Sequence, residues 1–377
     1  MNGNSLKSIS FNSLSLPEAL MRVLKNLNFK EMTPIQAICI PAIRAGRDLI
    51  AQSKTGSGKT AAFVIPALEK INLIKTSPQI LILCPTRELC EQVSNECLKF
   101  SKYIDDLKSV ALIGGQPNPP QAAALMRGVH LMIGTPGRTL EHLRNGLIDV
   151  SNLKTLILDE ADRLLEAGFA EEMKAIIEAL PKDRQTLFFS ATFPVGMEEL
   201  SQRYQKNAER ITIKEPENSN WMIQQFLYEA EKPEKLVTLN KILKKHPSNC
   251  TLIFCRTKMA VNEIGKMLSD AKISSRILHA DLKQSDRDQA TTMFRDGRLQ
   301  ILVATDVAAR GLDIARLQLV INFDLPPSTD TYIHRIGRTG RAGQNGVAVS
   351  IATEYEATLV AEIEAATGFK MIRQLLS

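Results

Sequence analysis

Short apolar runs alternate along the chain with longer stretches in which apolar residues recur every three to four positions. In the first half, the runs at 48–51, 79–84, 109–113, 130–133, 155–158 and 186–189 predict strands. The intervening helices are expected to begin at punctuation such as Pro85-Thr86 and Thr135-Pro136. The second half repeats the rhythm, with strands predicted at 251–255, 276–278, 300–304, 319–321 and 347–351. Alternation of this kind predicts α/β architecture, a parallel sheet with helices covering both faces. Between the halves, Ile213-Lys-Glu-Pro-Glu-Asn-Ser-Asn220 is polar, carries Pro and breaks the pattern. We expect a linker at 214–222, between a first domain over 1–213 and a second over 223–377.

Composition narrows the class without deciding the function. A chain of 377 residues with 44% hydrophobic and 23% charged content suits a globular protein of two ordinary domains. No apolar stretch approaches the roughly 20 residues of a membrane span. The opening Met1-Asn-Gly-Asn-Ser-Leu-Lys7 lacks the apolar core of a secretory signal, so the expectation is a cytoplasmic protein without a membrane partner. The six cysteines include no C-x-x-C pair and fall mostly in apolar segments, which points to buried free thiols rather than zinc ligands or disulfides. A net charge of +6 permits a polyanionic partner, and one Trp with 5% aromatics argues against a surface built mainly to stack bases.

Chemistry enters at the strand ends. Ser53-Lys-Thr-Gly-Ser-Gly-Lys-Thr60 follows the run 48–51 and opens into a helical pattern, as a P-loop does. Gly56 and Gly58 allow the tight turn in which the backbone of Ser53, Lys54, Thr55 and Ser57 can face phosphate oxygens, and the following helix adds the positive end of its dipole. Lys59 is expected to reach the β- and γ-phosphates and Thr60 to offer a hydroxyl to Mg²⁺. About a hundred residues later, Asp159-Glu160-Ala161-Asp162 ends another apolar run. Asp159 is expected to hold the same ion through its water shell, leaving Glu160 to orient or deprotonate the attacking water. Ser53 departs from the Gly usual at the first P-loop position. A glycine turn or a solvated acidic cluster would explain either motif alone, and it is the pair in this order that favours nucleotide chemistry.

Near the C-terminus, His334-Arg-Ile-Gly-Arg-Thr-Gly-Arg341 reads either as a basic loop or as a source of arginine fingers. In the second reading, Arg338 and Arg341 act on the γ-phosphate held by the first domain. Upstream, Thr305 and Asp306 close a strand, and Gly311 and Asp313 fall in the turn beyond it, where such sheets bind ligands.

Together these segments resemble the DEAD-box ATP-dependent RNA helicases. Pro85-Thr-Arg-Glu-Leu89, Gly114-Gly115, Thr135-Pro-Gly-Arg138, Ser190-Ala-Thr192, Ile253-Phe-Cys255 with Thr257, and Gln284-x-x-Arg287 complete the family's motifs in order, from about Phe11 to Arg341. The resemblance implies two tandem RecA-like domains, ATP and Mg²⁺ as cofactors, and RNA as the partner of a monomer. It implies that Phe29-Lys-Glu-Met-Thr-Pro-Ile-Gln36, within an adenine-recognition segment over 11–36, binds the base: Gln36 bidentately, Phe29 by stacking, with Thr33 and the upstream Phe11 beside them. Asn28 and Met32 depart from the family pattern there. Without the resemblance, Phe11 and Phe29 read as core aromatics and Gln36 as a helix-surface residue.

RNA contacts are implied for Arg87, Gly115, Thr135, Arg138, Thr257 and Thr305, a set of hydroxyls, glycine amides and arginines suited to phosphates and sugars rather than bases. Gly311 and Asp313 join the nucleotide site, while Ser190, Thr192 and His334 are implied to couple it to the second domain. The expected activity is RNA-stimulated ATP hydrolysis that closes the domains on one strand and opens short duplexes. A DNA helicase and an ATP-locked RNA clamp with little turnover are the alternatives. Gly114-Gly-Gln-Pro117, Leu83-Cys-Pro-Thr-Arg-Glu-Leu89 and Asp286-Arg-Asp-Gln289 are similar to the bacterial DbpA-type ribosome-assembly helicases, which carry a further C-terminal RNA-binding domain; the expectation is either a trimmed helicase core or a likeness confined to the core.

Overall fold

The apolar runs become strands, each within one residue of its expected bounds at either end. A computed structural model describes residues 9–53, 56–166, 168–193, 195–213, 223–309, 314, 316–340 and 345–374. The chain divides into two units, Met1–Lys214 and Glu215–Ser377, and the expected linker lies outside the described residues. In unit 1 the strands are β1 (Ile9–Ser10), β2 (Glu31–Met32), β3 (Leu49–Gln52), β4 (Ile80–Leu83), β5 (Ser109–Leu112), β6 (Leu131–Gly134), β7 (Thr155–Leu158), β8 (Gln185–Ser190) and β9 (Glu209–Thr212). Unit 2 holds β10 (Ile223–Glu229), β11 (Thr251–Cys255), β12 (Ser275–Leu278), β13 (Ile301–Thr305), β14 (Leu319–Asn322), β15 (Gly346–Ala352) and β16 (Ile372–Gln374).

Each unit has one seven-stranded sheet, ordered β5-β6-β4-β7-β8-β3-β9 in unit 1 and β12-β13-β11-β14-β15-β10-β16 in unit 2. All pairings within these two sheets are parallel. Successive residues face opposite sides, so Ile80 and Ile82 of β4 join one apolar core while Leu81 and Leu83 join another. In unit 2, Ile253 and Cys255 of β11 likewise separate from Leu252 and Phe254. Burial on both faces is the reason these strands are apolar throughout, and each such Leu or Ile contributes roughly 1.5–3 kcal/mol.

Three sheet strands had no counterpart in the pattern. β9 and β16 are edge strands whose polar residues need only one buried side, as in Glu209-Arg-Ile-Thr212 with Ile211 alone buried. β10 carries Gln224 and Gln225, and Gln225 is buried because its Oε1 accepts from the Tyr332 hydroxyl at 3.0 Å. The small antiparallel pair β1-β2, Ile9 opposite Met32, ties the N-terminal segment to unit 1. All six cysteines are buried free thiols, as expected, and burial pushes the Cys39 thiol up to about 12. Among the described residues no helix is long and apolar enough to cross a membrane.

Candidate active site

The strand order of unit 1 sets three chain segments side by side. β7, β8 and β3 are neighbours, with Leu158 opposite Phe188 and Ser190 opposite Gln52, so their carboxyl ends deliver Asp159, Ser190 and Ser53 to one edge. The Ser53 amide donates to the Ser190 carbonyl at 3.1 Å, continuing the ladder into the loop. Gly56 and Gly58 have φ of 81° and 91°, the left-handed region that favours glycine, and Gly58 caps the helix Lys59–Glu69. A Cβ on Gly58 would sit 2.4 Å from Gln36 Nε2, because the Gln36 amide closes over the loop. Gln36 Oε1 accepts from Thr33 N at 2.9 Å and its Nε2 donates to the Gly58 carbonyl at 3.1 Å. At 2% exposure it is buried, not a surface residue, and its second Nε2 hydrogen and second Oε1 lone pair are not used by these two bonds.

Aromatic placement separates Phe29 from Phe11. Phe29 is half-buried and lies edge-on to Phe11 and Phe100, with centroids 5.9 and 5.6 Å away. Phe11, expected beside the nucleotide, is 1% exposed and packs in the core behind Phe29, so its place is that of a support.

The charges sit just inside the loop. Lys59 Nζ donates to the carbonyls of Ser53 at 2.6 Å and Ser190 at 3.3 Å. Burial lowers its pKa, and the nearby carboxylates of Asp159, Glu160 and Asp162 oppose that shift. Asp159 is pushed up to about 7, first by burial and then by the Glu160 carboxylate, with Lys59 pulling the other way. Its Oδ1 accepts from the Glu160 amide at 3.0 Å. Glu160 has φ of 48°, a left-handed conformation costing a non-glycine residue on the order of 1–3 kcal/mol. Its Oε2 is buried without a hydrogen bond and meets Arg163 Nε at 3.5 Å. Clustered carboxylates, one unsatisfied, beside an amide-rich turn suit a divalent cation carrying phosphates; Thr60, half-buried, follows Lys59 at the helix start. Ser53, the departure from pattern, keeps the turn: its hydroxyl pairs with that of Ser57 at 2.7 Å.

A second cluster lies along the same edge, over β4, β5 and β6. Arg87 lies against Gly114-Gly115, where a Cβ on Gly115 would come within 2.1 Å of Arg87 Nη1. Thr135 Oγ1 donates to the Leu112 carbonyl at 3.3 Å and accepts from Gly114 N at 3.4 Å. Arg138 holds the Gln116 carbonyl with both terminal nitrogens at 3.2 Å and pairs with Glu141 at 2.9 Å. The four residues expected to meet RNA in the first half are thus gathered around one glycine turn.

In unit 2, Thr257 caps the helix Lys258–Asp270, its hydroxyl accepting from Ala260 N at 3.2 Å, and Thr305 ends β13 half-buried. Arg338 is buried just beyond the helix Thr329–Ile336, in which His334 is half-buried.

Comparison with known proteins decides the family. Residues 33–200 match the model for the DEAD/DEAH box helicase and residues 234–343 that for the helicase conserved C-terminal domain. The chain is 43% identical over 350 residues to the ATP-dependent RNA helicase DbpA of Escherichia coli, covering 92% of this chain and 76% of that protein. It is 39% identical to the DEAD-box ATP-dependent RNA helicase CshA of Geobacillus kaustophilus, over 97% of this chain and 78% of that one. The chain belongs to the DEAD-box ATP-dependent RNA helicase family. Its fold matches S. cerevisiae Dbp5 bound to RNA and ADP BeF3, with a TM-score of 0.88 at 31% identity over 97% of this chain and 95% of that one. The tandem RecA-like fold follows from the same likeness.

Two residues of this DEAD-box helicase were quoted within motifs but given no role from sequence. Asp162 is 1% exposed; its Oδ2 accepts from Thr192 N at 2.9 Å and Thr192 Oγ1 at 2.8 Å, while its amide donates to Ser190 Oγ at 3.3 Å. It thereby fastens the Ser190–Thr192 segment to the acidic strand end, and its place in the carboxylate run was the available signal. Arg335, among the arginines of the C-terminal segment, is a buried strut: it grips both Asp306 oxygens at 2.6 and 2.7 Å and the Asn322 side chain at 3.0 Å. Lys54, Thr55, Gly311, Asp313 and Arg341 lie outside the described residues.

Proposed function

We propose that this helicase binds ATP at the glycine turn of unit 1 and hydrolyses it when RNA is bound, with Arg338 and Arg341 of unit 2 completing the chemistry. The convergence of Lys59, Asp159 and Glu160 on one strand edge supports the reading most directly. Amides of the turn and Lys59 bind and orient the phosphates. Asp159 and Thr60 hold Mg²⁺, which when bound neutralises charge on the phosphate oxygens. Glu160, strained and carrying an unsatisfied oxygen, accepts a hydrogen bond from the attacking water and then its proton. The water oxygen forms the new bond to the γ-phosphorus as the bond to the bridging oxygen breaks and ADP departs. Phe29 and Gln36 select adenine.

RNA is gripped through phosphates and sugars by Arg87, Gly115, Thr135, Arg138, Thr257 and Thr305, without reading bases. RNA held by both units favours the hydrolytic state, which couples strand binding to domain closure and the separation of short duplexes. The DbpA-type motifs extend the proposal to RNA of the assembling ribosome, which crosslinking and sequencing of bound RNA in cells would read.

The test is Glu160→Gln, with ATP affinity and RNA-stimulated turnover measured separately. Affinity should persist, because Lys59, Thr60 and Asp159 remain, and turnover should fall by at least about 10²-fold with loss of the base. Near wild-type turnover would remove Glu160 from the mechanism.

A further inference from the structure

A groove without an assigned role runs along unit 2, on the free side of the edge strand β12. Ser275–Ile277 form its floor, the helix Lys258–Asp270 one wall and Met293 part of the other, enclosing about 540 Å³. Gly265 lets that helix settle onto the strand, since a Cβ there would meet Ile277 Cγ2 at 2.4 Å. Lys266 projects from the wall, Lys272 from the turn after it, Arg276 from the strand and Arg298 from the far end, and among the described residues no carboxylate lines the groove. Arg298 shares its charge with Asp296 at 2.8 Å, whereas Lys266, Lys272 and Arg276 are exposed and have no ion pair among the described residues. Uncompensated like charges along a concave wall repel one another and attract a polyanion, so the occupant should supply negative charge.

Position indicates which polyanion. Asn262 lines the groove five residues beyond Thr257 on the same helix, a separation of about 7–8 Å at the helical rise. At 3.6 residues per turn Asn262 also lies about 140° round the helix from Thr257, so an RNA chain touching Thr257 reaches the groove by crossing the first turns of that helix. We propose that the groove binds the phosphate backbone of RNA flanking the segment held at the carboxyl edge of unit 2. This rests on the RNA-binding role of Thr257 proposed above. A strand anchored at both places gains affinity from tethering without any base-specific contact.

The experiment uses the intact chain with a non-hydrolysable ATP analogue, comparing an RNA of about six nucleotides with one of about twenty-five by fluorescence anisotropy over a salt series. Lys266→Glu/Lys272→Glu is the variant, its two positions exposed and outside the proposed catalytic and core RNA contacts. Wild type should bind the long RNA with a log–log salt slope steeper by about 1.4 than the short one, for two further neutralised phosphates on a single strand, an extra change of about sevenfold between 50 and 200 mM salt. The variant should lose that increment and bind the short RNA as wild type does. Equal loss on both RNAs, or an unchanged slope on the long one, would overturn the groove. So would an acidic peptide that binds wild type but not the variant while long-RNA binding stays indifferent to the substitutions, because the free edge of β12 would then serve a peptide strand. Failure of either RNA to bind wild type would instead strike the RNA reading itself.

Discussion

The two units share one sheet plan, the second strand order being the first advanced by seven strands, yet they use the equivalent edges differently. Where β4 ends in Cys84-Pro-Thr86, β11 ends in Cys255-Arg-Thr257, and each Thr caps the next helix by accepting a backbone amide at 3.2 Å. The likeness extends to a buried cation. Lys59 opens the helix after β3, and Lys235 opens the helix after β10; Asp159 follows β7, and Asp324 lies just beyond β14. Lys235 Nζ donates to the Phe323 carbonyl at 3.1 Å and meets Asp324 at 3.4 Å and Glu356 at 3.9 Å. Both edges thus hold lysine beside aspartate. The difference is the turn: unit 1 has Gly56 and Gly58 at positive φ, whereas Glu231-Lys-Pro-Glu234 has no glycine, carries two carboxylates, and loses an amide donor to Pro233. A lysine–aspartate pair at such an edge can serve as a structural tie alone, and the glycine turn is what the proposed phosphate site of unit 1 adds to it.

The largest expected effect probes what unit 2 contributes despite lacking that turn. Arg338→Ala and Arg341→Ala should each lower RNA-stimulated turnover by about 10³- to 10⁵-fold while ATP affinity changes little. Because Arg338 is buried, circular dichroism should accompany its kinetics. A loss below about tenfold in a folded variant would confine the chemistry to unit 1. Next in size is Gly58→Ala, which places a Cβ at φ of 91° against Gln36 and should weaken ATP binding about tenfold, read with a fluorescent nucleotide. Unchanged affinity would mean that the turn is not what distinguishes the two edges.

The smallest effects compare one histidine in each unit, buried in the first and half-buried in the second. His142 is fully buried with neither ring nitrogen hydrogen-bonded, and His246 Nε2 pairs with the Tyr228 hydroxyl at 2.9 Å. Burial depresses both below the ordinary value of about 6.5. A depressed base contributes stability that is present above the unfolded pKa and lost as pH falls through the folded one. The melting temperature should therefore hold from neutral pH down to about 6.5 and fall below that. His142→Leu should blunt the fall by about 2–4 °C, whereas His246→Leu should lower stability at every pH by breaking the Tyr228 bond. An acid transition unaltered by His142→Leu would assign it to other groups.

Much of this was legible in the chain because the physics is local or periodic. Strands buried on both faces must be apolar throughout, so β4, β7 and β11 stood out, while β10 did not because the hydroxyl of distant Tyr332 satisfies Gln225. The phosphate turn announced itself because only glycine occupies its φ values without strain. Legibility ended where a side chain's role depends on partners far along the chain. Nothing near Arg335 separates a strut from an arginine finger; Asp306, about thirty residues upstream, decides it. Without the family resemblance Gln36 reads as a surface residue of its helix, because its bond to the distant Gly58 carbonyl has no local signal.

The most direct test of the contrast is RNA-stimulated ATP turnover of Lys59→Ala and Lys235→Ala, each with its ATP affinity and melting temperature. Lys59→Ala should stay folded, bind ATP weakly and lose turnover. Lys235→Ala, which leaves Asp324 and Glu356 without their cation, should lose about 1.5–3 kcal/mol of stability yet retain turnover per folded molecule. Loss of turnover in folded Lys235→Ala, or its survival in Lys59→Ala, would contradict the assignment of the nucleotide site to unit 1.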